Sequence, residues 1–189
     1  MTAFRFLGRL SLDLAITGGD GPYARFETLH GPADLARWLA ECALAADDVP
    51  ATAADLAAAK RLRRAIWNAA EAVVEGGLPA AGDVAAINAA AARPPLVPAL
   101  ERREPRPAGD GVVRVWRAPT AEQAFSDVAR DAIALFSDPA QRARLRRCAS
   151  PDCALIFYDS SRPGRRRWCS TERCGDRMRA RAYRARHRP

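Results

Sequence analysis

The sequence predicts an α+β chain: a mainly helical N-terminal domain with a small β-hairpin, followed by a small cysteine-bearing module. Three observations predict it. Alanine-rich segments with apolar residues at helical spacing fill most of the first 140 positions. Two short runs rich in valine and leucine flank a Pro-Ala-Gly-Asp-Gly turn. Four cysteines in two close pairs then sit within the most basic part of the chain.

The elements follow in chain order. Phe4 to Thr17 reads equally as one or two short strands or as a strand and a helical turn, and Gly18-Gly19-Asp20-Gly21-Pro22 breaks it. From Pro32 to Leu44, Leu35, Trp38, Leu39 and Cys42 fall on one helical face behind a Gly-Pro start. The strongest helix runs from Thr52 to Glu75, with Thr52 as cap, Asp55 in the first turn and Gly76-Gly77 beyond the end. Its buried stripe is Leu56, Ala59, Leu62, Ile66, Ala69, Ala70 and Val73. A further helix spans Asp83 to Ala92, and Pro94-Pro95 stops it. Leu96–Glu101 and Val112–Trp116 are strands joined as a hairpin through Pro107 to Gly111. From Thr120, Ala124, Phe125, Val128, Ala132, Ile133, Leu135 and Phe136 supply the apolar face of another helix, ended by Asp138-Pro139. Arg142 to Arg147 reads as a basic helical turn leading to the first cysteine.

At 189 residues the chain accommodates one ordinary domain and a satellite. The formal charge of +8 is unevenly spread. Residues 142–189 hold 15 arginines against four acids, a local +11, while the preceding 141 hold 15 basic and 18 acidic residues, a local −3. Such a basic appendage on a mildly acidic body suits a polyanion, because arginines gain from phosphate charge, bidentate geometry and counterion release. A solubilising tail is the plainer alternative. The boundary is set at residues 140 and 141. No run approaches membrane-spanning length and no segment has the build of a cleaved leader, so the expectation is a cytoplasmic protein without a membrane partner. In a reducing compartment cysteines are metal ligands or free thiols rather than disulfides.

Cys148, Cys153, Cys169 and Cys174 form C-x4-C-x15-C-x4-C. Two short-range pairs bring four thiolates around one tetrahedral ion at little loop-closure cost, and they leave no open position for a substrate. The expectation is one structural Zn2+ held by these four residues. Leu155–Asp159 reads as a strand that turns at Ser160 to Gly164 and returns through Arg165–Trp168 as a hairpin. Ser170 or Thr171 then caps a helix that carries Glu172 and Cys174 in its first turn. Knuckle, hairpin and ligand-bearing helix make a treble-clef zinc finger. Cys42, on an apolar stripe, reads as a small buried residue.

If Ser170 to His187 is helical, Cys174, Met178, Ala182 and Ala185 share the face toward the metal. Arg177, Arg181, Arg184 and Arg188 then line an adjacent face, and with Arg165, Arg166 and Arg167 they make the candidate nucleic-acid contacts. Trp168 reads as core of the module before a base-stacking residue.

Cys148-x4-Cys153, Phe157-Tyr158-Asp159, Arg167-Trp168-Cys169 and Cys174-Gly175-Asp176-Arg177 resemble the CGNR zinc finger family, with Asp176 where the family name has asparagine. Residues 1–140 resemble the ABATE domain that accompanies this finger, through Leu10 to Thr17 and Asp34-Leu35-x2-Trp38-Leu39. Ile16 stands where that family commonly has asparagine. The resemblance implies a bacterial stress-induced transcription regulator, its finger binding DNA and its larger domain sensing a signal, a small ligand or a protein partner. A homodimer would follow from a palindromic site.

Two rivals use the same features. An RNA- or ribosome-associated protein would exploit the basic surface without duplex grooves, and an interaction adaptor would use zinc only to present a helix to an acidic partner. An enzyme is not expected. The two histidines, His30 and His187, lie outside the cysteine region, and no catalytic residue is assigned. Asp13 and Thr17 read equally as pocket-lining or as capping residues.

Overall fold

The computed structural model describes residues 4–19, 21–47, 49–102, 104 and 111–187. The opening segment, left open between strand and helix, forms α1 (Leu10–Ala15). Ser11 donates from both its backbone N–H and its hydroxyl to the Asp131 carboxylate, at 2.9 and 2.6 Å, which anchors the first turn. A 3-10 turn over Gly21–Phe26 leads to α2 (Pro32–Glu41), which ends three residues short of the expected Leu44. Leu35, Trp38, Leu39 and Cys42 are buried there as their spacing requires, and Cys42 has the place of a small core residue.

The central helix is α3 (Ala53–Val74). Thr52 Oγ1 accepts from Asp55 N–H and the Asp55 carboxylate accepts from Thr52 N–H, so two otherwise orphaned donors are satisfied reciprocally. At the other end Gly77 N–H reaches Ala72 O and Gly76 N–H reaches Val73 O, with Gly76 at φ +78°, a left-handed closure that favours glycine. Next come α4 (Ala81–Ala91), the antiparallel strands β1 (Pro98–Arg102) and β2 (Val112–Trp116), and α5 (Ala121–Ser137). The turn expected at Pro107 to Asp110 lies outside the described residues. Thr120, where the helix was expected to start, caps α5, but Ile133, placed on its buried face, is 38% exposed. The core of this part gathers α1 to α5 around Trp38, Ile66, Phe125 and Val128.

Gly18 marks the tightest approach. Its φ is +153°, and a Cβ there would sit 2.8 Å from the Glu27 backbone and 2.9 Å from an Arg63 guanidinium nitrogen. Gly18→Ala combines a disfavoured backbone with a clash against main chain, so a loss of about 3 kcal/mol is expected in urea denaturation. A loss under 0.5 kcal/mol would show that the backbone yields freely.

The expected basic turn at Arg142–Arg147 is corrected. A short helix α6 (Pro139–Arg142) is followed by strand β3 (Leu145–Arg147), which pairs antiparallel with β4 (Ile156–Tyr158), Arg146 opposite Phe157. The strand's partner is therefore not Arg165–Trp168. Leu145 and Ile156 explain the choice, because pairing 145–147 with 156–158 buries both against Leu12, Ala70 and Leu135. Arg165–Trp168 is linked to the first cysteine turn through Ala149 N–H to Arg167 O at 2.9 Å. Residues 145–158 are thus tied to the helical body, and Arg147 adds ion pairs to Glu71 and Glu75 at 3.3 and 3.0 Å. Among the described residues no helix is long and apolar enough to cross a membrane.

Candidate metal centre and basic helix

The first two cysteines flank the turn that joins β3 to β4. Cys148 N–H bonds Leu155 O and Cys153 N–H bonds Ser150 O, so the turn folds back tightly and presents both sulfurs on one side. The second pair straddles a helix start. Ser170 Oγ accepts from Arg173 N–H at 3.3 Å, and residues 171–175 wind as a single π turn in which Gly175 N–H reaches Ser170 O. That wider turn seats Cys174 beside Cys169 despite four intervening residues, and α7 (Asp176–Arg186) continues from it. Gly175 is buried at this junction, where a Cβ would meet Trp168 at 3.4 Å.

All four Sγ atoms lie within 4.8 Å of one another, with Cys153 to Cys169 at 3.8 Å and Cys169 to Cys174 at 3.7 Å. These are not disulfide separations, which are about 2.05 Å. They match the edge of a tetrahedron whose centre is about 2.3 Å from each corner, an edge of about 3.8 Å, so the donor set fits one Zn2+. The site is closed: three cysteines are buried and Cys153 is half-buried. Phe157, Leu7, Leu155 and Trp168 pack around the sulfurs, Trp168 as filling for the module. The clustered thiols shift one another's acidity. Hydrogen bonding from Cys169 draws Cys153 down to about 5, the same contact pushes Cys169 up, and burial pushes Cys174 up. Zinc uptake must therefore release protons from the cluster.

Asp159, fully buried, organises the loop between β4 and the third cysteine. Burial alone would push its carboxyl up, but Ser161 Oγ, Arg166 N–H and Ser161 N–H donate to it at 2.6, 2.7 and 3.0 Å and hold it below the usual range. Its sequence signal was only a strand-ending acid.

Residues 8–139 match the ABATE family, described as "Putative stress-induced transcription regulator", and this covers well over half of the chain. The chain belongs to the ABATE family. Residues 144–187 match the CGNR zinc finger, so the centre holds one structural zinc through Cys148, Cys153, Cys169 and Cys174. No curated protein matches the chain. The two families are of regulator and zinc-finger type.

On the CGNR finger the candidate arginines divide. Arg177, Arg181 and Arg184 are exposed on α7, and Arg173, not singled out from the sequence, extends their row by one turn. Arg181 reaches the Asp152 carboxylate at 3.4 Å across open surface. Arg165 and Arg167 are exposed, Arg167 with its guanidinium 5.1 Å from the Trp168 ring. Arg166 turns inward instead: it donates to Cys169 O at 3.0 Å and stacks over Phe157 at 5.1 Å. Arg188 lies outside the described residues. The face expected to point at the metal is corrected beyond Met178, since Ala182 and Ala185 are exposed. His187 stacks on Tyr183 at its far end, and His30 sits in the loop before α2.

In the ABATE domain the two readings of Asp13 and Thr17 separate. The Asp13 carboxylate accepts from Leu7 N–H and caps that loop, and burial pushes its carboxyl up to about 7. Thr17 borders a cavity and accepts from Arg63 at 3.3 Å. Arg63 is almost fully buried, and Glu27 receives its guanidinium in a two-pronged pair at 2.8 and 2.8 Å.

Proposed function

We propose that this protein is a cytoplasmic DNA-binding transcription regulator whose CGNR finger, residues 141–189, grips duplex phosphates while residues 1–140 couple a signal to it. The observation that carries the reading is α7. Its residues from Arg179 to Arg186 are all exposed, and Arg177, Arg181 and Arg184 follow Arg173 of the π turn at spacings of four, four and three. At 1.5 Å per residue that row covers about 16 Å, long enough to follow phosphates beside a groove. Arg165 and Arg167 add charge from the loop below. Zinc and the docked β3–β4 hairpin fix the root of the helix, so the row is held in a set direction instead of searching for one. Arg166 contributes to the finger's own structure.

Phosphate contact makes binding strongly salt-dependent, with a log–log slope of about −0.9 per phosphate neutralised on duplex DNA. Replacing Arg177, Arg181 and Arg184 together by alanine is expected to flatten that slope by about 2 to 3 units, read from fluorescence anisotropy between 50 and 300 mM salt. Unchanged binding in the triple variant removes the proposal. Tighter binding of folded RNA than of duplex DNA would transfer the reading to an RNA-associated role. A protein complex that survives nuclease would transfer it to an adaptor.

A further inference from the structure

A cleft runs between the ABATE domain and the finger, made of two adjoining cavities of about 320 and 390 Å³. Both are bordered by Ile16, Tyr23, Phe26, Glu27 and Leu155, so they are two lobes of one depression. Each lies in the range of roughly 300 to 1,000 Å³ usual for small-molecule sites. One lobe is bordered by Trp67, whose ring lies 5.3 Å from that of Tyr23. Phe26, between the lobes, is 45% exposed and carries the Arg25 guanidinium 4.7 Å from its ring. Flat apolar walls of this kind favour a planar ring.

The charges at the cleft are uneven. Among the described residues its three carboxylates are already in ion pairs: Glu27 with Arg63 and Lys60, Glu71 with Arg147, Asp152 with Arg181. By contrast, among the described residues no carboxylate pairs with Arg5, Arg25, Arg173 or Arg177, all four of which line the other lobe. An acidic group entering there meets uncompensated cations. Two of those cations, Arg173 and Arg177, belong to the first turns of the finger's arginine row.

We propose that this interdomain cleft binds an aromatic organic anion, with its ring against Phe26 and Tyr23 and its acidic group on Arg177. Occupancy then withdraws Arg177 from phosphate contact and lowers the finger's affinity for nucleic acid. This second consequence rests on the reading of α7 given above, whereas the site itself does not.

The test uses the full-length zinc-loaded protein and 1-naphthalenesulfonate as probe, followed by calorimetry without nucleic acid. One saturable site is expected, about tenfold weaker in Phe26→Ala and in Arg177→Ala, with neutral 1-naphthol at least tenfold weaker than the sulfonate. Both side chains are exposed, so the variants keep the fold, and a circular dichroism melt verifies it; Arg25→Ala, also exposed, serves as a second charge variant. No saturable binding, or affinity untouched by all three substitutions, overturns the site. Equal affinity for the naphthol overturns its preference for anions. Duplex DNA binding is then measured with and without saturating sulfonate. A several-fold weaker complex is expected, and an unchanged one overturns the shared arginine. Failure of the protein to bind DNA even without probe would remove the α7 reading while the calorimetric result for the cleft stands.

Discussion

Cys169→Ser is expected to melt the finger. The fourth thiolate is lost from a site whose sulfur spacings already match a zinc tetrahedron, and a module of some forty residues has too little apolar surface to order itself without the ion. Structural zinc sites of this type are worth on the order of 10 kcal/mol of folding free energy, comparable to a small domain's whole stability. The measurable result is loss of bound zinc, loss of hydrogen-exchange protection across residues 159–187 and loss of nucleic-acid binding, with α3 and α5 still helical. Exhaustive chelation of the parent chain should give the same pattern. A chelated chain that keeps full protection in the finger would contradict a structural role for the metal.

Arg63→Ala is expected to have the largest effect within the ABATE domain, about 3 to 5 kcal/mol, because it leaves Glu27 charged, largely enclosed and without its two-pronged partner. Lys60, at 3.4 Å from Glu27, offsets part of the loss. Replacing Arg63 by methionine and Glu27 by leucine together should recover most of it, since no charge is then left unpaired. Urea denaturation of the three proteins at pH 7 tests this, and a cost below 1 kcal/mol for Arg63→Ala would show that the pair is dispensable. The same pair sets an acid limit. Burial pushes Glu27 up, but hydrogen bonds from Arg63 and Leu29 N–H and the charges of Arg63 and Lys60 outweigh it and bring the carboxyl down to about 2. Its folded value lies below its unfolded one, so the contribution is complete above about pH 4.3 and is lost as pH falls toward 2. In Glu27→Gln that part of the acid dependence should vanish.

Much of the architecture was legible because local signals agreed with global ones. Thr52, Asp55 and Gly76-Gly77 bounded α3 correctly, since capping is a matter of neighbouring residues alone. The four cysteines announced their own convergence by spacing. What escaped was non-local. Arg142–Arg147 carries a helical composition, but Leu145 is needed as a strand residue against Leu12 and Leu135, a demand set by positions more than a hundred residues away on one side. Arg166 looked interchangeable with Arg165 and Arg167, and only the position of the Cys169 carbonyl and the Phe157 ring distinguishes it. The cleft left no trace in spacing at all, because its walls come from Phe4, from residues 16–28, from α3 and from the finger. The Arg63–Glu27 pair was hidden for the same reason, its members standing 36 positions apart.

The seam at Leu145 and Ile156 has a practical corollary for anyone wishing to borrow the zinc module. Severing the polypeptide after α6 would bare greasy patches on both fragments, Leu12, Ala70 and Leu135 on the larger and Leu145 with Ile156 on the smaller. Transplanted alone, the C-terminal piece would carry an adhesive underside, so a graft needs polar replacements at those two positions or an acceptor scaffold shaped to cover them.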